Sequence, residues 1–468
     1  MLYKITYNKS GIIKFIIFKR GDSTMKITLE GKNKKYIELY EKIVNLINEN
    51  ELKPKEKLPS KRDLAIDLDV SINTVMNAYM MLLDEGYIYS IEKKGYFVTK
   101  QPIVVKKPKE ISNTELKKDE EYLYDFTTSK IEDFATTKWL KLIKSVTEKK
   151  DYLNKTDYLG DIGLRFEIQQ HLKLNRGINA PLDNILICNG FEAIEKILEL
   201  TDIEDLLLEN PGYHKLSKLN INKKISYQNI DDYGVLVPNK RCILYTTPFC
   251  QFPTGIKMSI SRKKELINFV NKTDSLIIED DFDAEFRING QRAVSLYTLD
   301  REKVIFFSSF TTTMYPGLRL AYIILPDKLL SLYKDKYNSY SSLPTLEQLL
   351  LKEFIKSGEY ASHINKIKRL YLKKRQLIIE TLSNYNYLIP DEKKSYLSIP
   401  IKINTIYNDS EIKEVLKNNK IKISLLSDYD INKKDSKILI LGYTAIPLDK
   451  IKDGINTLAK ALKTGERT

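Results

Sequence analysis

From Tyr36 onward the apolar residues Ile37, Leu39, Tyr40, Ile43, Leu46 and Ile47 recur at helical spacing. This predicts a helix with one buried face, and Pro54 lies beyond it in a turn. A second helix starts after Leu58-Pro59-Ser60. The Ser60 hydroxyl can cap its free amides, and Asp63 three residues on completes an approximate capping box. Asp69-Val70 supplies a turn. A third helix, capped by Ser71, carries Val75, Ala78, Tyr79 and Leu82 on one face and stops near Gly86, a residue suited to a left-handed conformation. Residues 87–91 and 96–98 then read as paired strands around Glu92-Lys93-Lys94-Gly95. The pattern is a helix-turn-helix followed by a two-stranded wing.

The periodicity lapses over residues 101–123, which hold Pro102, Pro108, five lysines and five acids, the composition of a solvated linker. From Tyr124-Asp125-Phe126 onward, apolar strands alternate with amphipathic helices, predicting an α/β layer fold with a mostly parallel sheet. Ahead of the winged unit, residues 1–24 fit no module, and Met25-Lys26-Ile27-Thr28 reads as a natural opening for that unit, with a flexible arm or added strand as the alternative. The resulting division is an extension at 1–33, a winged helix-turn-helix at 34–100, a linker at 101–123, a large domain at 124–330, and linking helices with a small C-terminal α/β subdomain at 331–468.

Composition changes this picture little. The 468 residues, 42% of them hydrophobic, suffice for two or three domains with sizeable cores. A net charge of +14 suits a nucleic-acid partner, although a lysine-, isoleucine- and asparagine-rich chain can also reflect an AT-rich genome. Residues 32–100 carry 12 Lys/Arg against 11 Asp/Glu, so the winged unit is almost neutral, with Lys53, Lys55, Lys57, Lys61 and Arg62 clustered around the second helix. Cys188, Cys242 and Cys250 show no metal-ligand or disulfide spacing, and His171, His214 and His363 lie far apart; a reduced, cytoplasmic, metal-free protein is expected. No apolar run approaches the roughly 20 residues of a membrane helix.

The first unit resembles the winged helix-turn-helix of the GntR family of bacterial regulators. The matching residues run from Leu39-Tyr40 through Leu58-Pro59-Ser60, Arg62, Leu64-Ala65, Val70-Ser71, Asn73-Thr74-Val75 and Ala78-Tyr79 to Gly95-Tyr96-Phe97-Val98. The resemblance implies that the third helix enters the major groove of double-stranded DNA and that the wing and the Pro-Ser-x-Arg motif grip the backbone or groove edges. DNA contacts are therefore expected at Ser60, Arg62, Ser71, Asn73, Thr74, Lys94 and Gly95. Where that family commonly has arginine, between the serine and asparagine of the third helix, this chain has Ile72.

The rest of the chain resembles a pyridoxal-phosphate aminotransferase of fold type I. Glu209-Asn210-Pro211-Gly212-Tyr213, Tyr245-Thr246-Thr247-Pro248, Gln251-Phe252-Pro253-Thr254-Gly255, Glu279-Asp280-Asp281-Phe282-Asp283 and Pro316-Gly317-Leu318-Arg319 carry the likeness. It implies cofactor contacts at Asp280, Arg319, Thr311 and Tyr213, with Asp280 holding the pyridine nitrogen and Arg319 the phosphate. The position of the Schiff-base lysine is Thr312, whose hydroxyl cannot form an imine, and no lysine lies between Val304 and Asp327. Phe282 replaces a tyrosine, Phe191-Glu192 a small residue and glutamine, and Phe249-Cys250 a Ser-His pair. For Asp280 and Arg319 the alternative is inherited scaffold, a helix-end cap or an internal ion pair.

The two likenesses together, covering about residues 34–464, resemble the MocR subfamily of transcriptional regulators. This implies a winged helix-turn-helix, mainly α, fused to an α/β fold type I aminotransferase-like domain, a head-to-tail homodimer, a small-molecule effector and pyridoxal phosphate as cofactor, here not as a lysine Schiff base. The expected function is a DNA-binding regulator with a degenerate, catalytically inactive sensor domain. An active aminotransferase with an accessory DNA-binding domain is the alternative, and Thr312 opposes it. A third reading is a dimeric DNA-binding protein whose body only spaces two heads.

Overall fold

The computed structural model describes residues 16–20, 23–27, 29, 34–99, 122–127, 134–219, 221–286, 294–339, 341–392 and 397–463. The linker expected at 101–123 lies outside the described residues apart from its last two positions. The chain divides into two compact units, Met1–Lys118 and Asp119–Thr468.

In the first unit, β1 (Ile16–Arg20) and β2 (Ser23–Ile27) form an antiparallel hairpin in which Met25 lies opposite Phe18. Helices α1 (Lys35–Asn48), α2 (Lys61–Leu68) and α3 (Ile72–Asp84) come next, then the wing strands β3 (Ile88–Ile91) and β4 (Gly95–Val98). Leu39, Ile43 and Ile47 of α1 are buried in one core with Val75, Ala78, Tyr79 and Leu82 of α3. Burying each large side chain contributes about 1.5–3 kcal/mol. Both expected caps form: Ser60 Oγ accepts from the Asp63 amide at 3.2 Å and Ser71 Oγ from the Thr74 amide at 3.1 Å. The Asp63 carboxylate takes the Ser60 hydroxyl itself at 2.7 Å, a variant of the expected capping box. Asp69 makes the turn with a left-handed φ of 53°, and Gly86 ends α3 with φ 75°.

The second unit opens with β5 (Tyr124–Asp125), α4 (Thr136–Lys149) and α5 (Ile162–His171). The strands and helices β6 (Ile185–Cys188), α6 (Phe191–Leu198), β7 (Asp205–Asn210), β8 (Lys224–Asp231), β9 (Gly234–Val235), β10 (Ile243–Thr246), α7 (Ile260–Thr273), β11 (Leu276–Asp280), α8 (Leu296–Leu299), β12 (Val304–Ser309) and β13 (Ala321–Ile324) build the sheet and its flanks. Strand order is β6-β13-β12-β11-β10-β7-β8-β9. Strands β7, β8, β10, β11 and β12 pair in parallel, while β13 runs against both its neighbours. Strands β6, β10 and β13 are buried at every position, as a sheet covered on both faces requires.

Three helices, α9 (Asp327–Tyr337), α10 (Thr345–Lys356) and α11 (Glu359–Leu382), lead to a small subdomain. It consists of β14 (Leu388–Pro390), β15 (Ser398–Ile403), α12 (Asp409–Asn418), β16 (Ile421–Lys422), β17 (Ser424–Leu425), β18 (Ile438–Gly442) and α13 (Ile451–Leu462). Its sheet is antiparallel, in the order β14-β15-β18-β17. Strand β5 pairs with β16, so the residues that open the body are tied to its C-terminal part. Gly442 permits this approach: its amide donates to Phe126 O at 2.8 Å, and a Cβ there would stand 2.8 Å from that same oxygen.

Candidate functional site

In the winged unit the start of α2 is held against both α3 and the wing. The buried Tyr79 hydroxyl donates to Pro59 O at 2.9 Å, Lys57 bridges Phe97, and Lys61 Nζ lies 5.6 Å from the centre of the Tyr96 ring. Gly95 has a φ of 110°, a conformation that favours glycine, and lies against Lys57, whose Cε a Cβ there would approach to 3.2 Å. Arg62, Ser71, Asn73 and Lys94 are exposed and Thr74 half-buried. Ser60, Ser71 and Thr74 have structural employment as well: two caps, and a 2.9 Å contact between the Ser71 and Thr74 hydroxyls.

In the body the candidate residues gather at the C-terminal ends of β11 and β12. Asp280 ends β11, is buried, and accepts from the Tyr245 hydroxyl on β10. Its Oδ1 is also buried and has no hydrogen-bond partner among the described residues. Burial pushes the Asp280 carboxyl up to about 7, against the opposing effect of the Tyr245 hydrogen bond. Asp283 is pushed up to about 8 by the same cause, with a Cys250 hydrogen bond acting against it. Asp280 ends a strand and forms no ion pair among the described residues, so inherited scaffold is the part of the foreseen alternative that stands beside a cofactor role.

The β12–β13 loop closes on itself, since Phe310 N donates to Leu320 O at 3.0 Å and Ser309 pairs with Ala321. Within it Ser309 Oγ donates to Thr311 Oγ1 at 2.8 Å, and Thr312 Oγ1 donates to Phe282 O at 2.7 Å. Arg319 is exposed, adopts a left-handed φ of 54°, and shows no ion pair among the described residues. This conformation places it at the C-terminal end of the 3-10 turn Pro316–Leu318, the helix-end position foreseen as one alternative for it. Opposite stand aromatic rings: Phe191, at the start of α6, stacks on Tyr213 at 5.7 Å and 29°, and Phe252 meets both Tyr213 and Phe282 edge-on. Glu209 fixes the turns that carry Tyr213 and Phe252. It accepts from the hydroxyls of Thr246 and Thr247, the Thr247 amide and the Gln251 side chain, while burial raises its pKa.

Pyridoxal phosphate can be tested against this constellation. An unpartnered Asp280 oxygen suits a ring N–H donor, a half-buried Tyr213 offers a ring face, and the Ser309 and Thr311 hydroxyls with exposed Arg319 suit an anion. The point of covalent attachment does not fit, because Thr312 is a hydroxyl engaged with the backbone. Glu192 is exposed and takes a hydrogen bond from Asn189, while Phe191 faces Tyr213.

The family described as bacterial regulatory proteins, gntR family, matches residues 35–98, and aminotransferase class I and II matches residues 123–424. The HTH-type transcriptional regulator YdeL of Bacillus subtilis is 30% identical over 91% of this chain and 97% of its own. The probable rhizopine catabolism regulatory protein MocR of Rhizobium meliloti is 26% identical over 91% and 93%. The chain belongs to the MocR-type GntR regulators. An archaeal alanine:glyoxylate aminotransferase aligns with a TM-score of 0.66 at 21% identity, over 75% of this chain and 93% of that one, a likeness of fold.

For this MocR-type chain, several residues of the site escape sequence reading. Tyr245 opens a motif that reads as scaffold, yet its hydroxyl holds Asp280. Arg176, on a π-helical turn after α5, forms a buried two-pronged pair with Asp281, its Nη2 at 2.7 Å from Oδ1. His171 Nε2 stands 2.8 Å from Glu285, whose carboxyl is lowered to about 2: burial raises it, and the His171 hydrogen bond with the charges of His171, Arg176 and Lys368 together more than offset that. These partners lie 35 to 114 residues apart along the chain, beyond the reach of spacing rules. Asn77 is a further exposed residue of α3 that motif reading misses, although its spacing of four from Asn73 is a usable signal.

Proposed function

We propose that this protein is a transcriptional regulator that binds operator DNA through α2, α3 and the wing, with a body that serves as a non-covalent small-molecule sensor and dimerisation module. Arg62 and Lys94 take backbone contacts, with Ser60, Ser71, Asn73, Thr74 and Gly95 completing the DNA surface. The protein works in the cytoplasm, as a head-to-tail homodimer.

The observation that carries the sensor reading is the bond from Thr312 Oγ1 to Phe282 O at 2.7 Å. The residue at the imine position is tied to the scaffold and has no amine, so aminotransferase turnover is not expected. Asp280, Tyr213, Ser309, Thr311 and Arg319 nevertheless offer contacts for pyridoxal phosphate without a covalent bond. When bound and protonated, that group supplies an electron sink; here the chain's own contribution is to hold and orient it. The alternatives, a spacer between DNA-binding heads and an enzyme, lack a comparable observation: the first leaves the buried unpartnered Asp280 Oδ1 without a use, the second lacks the lysine.

The test is the affinity of the full-length protein for a duplex selected from a randomised library, measured by fluorescence anisotropy with and without pyridoxal phosphate. A several-fold change supports the sensor, whereas identical affinities at saturating ligand would reduce the body to a spacer between heads.

A further inference from the structure

The outward face of α3 carries no charge. Val75, Ala78, Tyr79 and Leu82 are buried, and the opposite face presents Ile72, Asn73, Met76, Asn77 and Met80. At about 100° per residue these five positions fall within about 140° of arc, a single stripe. Ile72 is 49% and Met80 52% exposed, and Asn73 and Asn77 are exposed one turn apart. The helix contains no lysine or arginine, and its one acid, Asp84, is its last residue. Ser71 and Thr74 are occupied by the cap and by each other. The cations of the unit lie elsewhere, at Lys34, Lys35 and Lys42 at and along α1, at Lys53, Lys55, Lys57, Lys61 and Arg62 around the start of α2, and at Lys93 and Lys94 in the wing.

Major-groove chemistry gives this distribution a meaning. Guanine is read chiefly by the paired donors of arginine, or by lysine; adenine presents an acceptor beside a donor, which a side-chain amide matches with two hydrogen bonds; and thymine alone offers a methyl group. A face made of two amides and three apolar side chains therefore matches A·T pairs and lacks the group best suited to G·C. Cations placed off the reading helix contribute affinity through phosphates and no sequence preference.

We propose that α3 selects A·T-rich half-sites, with Asn73 and Asn77 hydrogen-bonding adenine edges and Ile72 and Met80 packing on thymine methyls. This rests on the reading of α3 as the DNA-contacting helix and assigns its sequence preference. Asn77 and Met80 become specificity-determining residues, while Ser71 and Thr74 are positioning residues that set the start of the helix.

The experiment is selection of the full-length protein on a randomised duplex library, followed by affinity measurements on the enriched site. One change is made to that site and two to the protein. Replacing thymine by uracil, which removes only the methyl, is expected to weaken binding several-fold, and Ile72→Ala to abolish that difference at one position. Asn77→Ala is expected to cost roughly 5- to 150-fold on the selected site and to reduce discrimination at one base pair; because Asn77 is exposed, circular dichroism and thermal unfolding should be unchanged. Enrichment of G·C at the contacted positions, or a uracil site bound as well as the thymine site by the unaltered protein, overturns the proposal. If no duplex is retained even at low salt, it is the DNA-binding reading itself that fails.

Discussion

Thr312 donates its hydroxyl to the main-chain carbonyl of Phe282 at 2.7 Å, joining the loop after β12 to the loop after β11. By the sequence resemblance, these are the positions expected for an imine lysine and for a tyrosine facing the cofactor ring. The bond ties the two loops together.

Restoring the amine tests how much of the site survives. Thr312→Lys is expected to give a borohydride-trappable imine with pyridoxal phosphate and a new near-ultraviolet or visible absorbance band. An unchanged spectrum would mean that the surrounding residues do not hold the ligand in reach of residue 312.

Arg62 is exposed beside the Ser60 cap. Arg62→Ala is expected to weaken binding to all DNA sequences alike and to reduce the slope of log affinity against log salt by about 1, since one phosphate contact is lost. A loss confined to particular sequences would identify Arg62 as a base reader instead.

Asp280 should make stability depend on pH. Its carboxyl lies near 7 when folded, above the ordinary carboxylate value of 3.8, because burial disfavours the charge. The folded state therefore binds the proton more tightly than the unfolded one, and the stability this lends declines as pH rises from about 4 to about 7 and is gone above that. Asp280→Asn, which retains an acceptor for Tyr245, is expected to raise the unfolding temperature at pH 8.5 and to change it little at pH 4. Equal effects at both values would place the folded pKa near its ordinary position.

The buried pair of Arg176 and Asp281 is expected to be costly to break from one side. Arg176→Met leaves the Asp281 charge without its guanidinium and should destabilise the body by about 3–5 kcal/mol in urea unfolding, with Asp281→Leu in the same chain recovering part of the loss. Additive losses in the double variant would contradict the pairing account.

The sequence exposes the local features of this molecule well. Ser60 and Ser71 lie where a capping residue must, Gly86 where a helix must stop, and the Tyr96-Phe97-Val98 strand announces the wing, because caps, turns and alternation are set by near neighbours. The order of sheet strands and the buried contacts of the site depend on residues brought together from afar. Nothing near Asp280 in sequence indicates that Tyr245 will hold one of its oxygens and leave the other unpartnered. Likewise, Thr312 can be read as the loss of an amine, but not as a donor to Phe282.

The most direct test of the central claim is a calorimetric titration of the full-length protein with pyridoxal phosphate, followed by borohydride treatment and intact-mass measurement. Saturable binding with an unmodified protein mass is the predicted result, a ligand held by Asp280, Tyr213 and the loop of Thr311 and Arg319 without a covalent bond. A pyridoxyl phosphate adduct on any lysine, or the absence of binding, would contradict it.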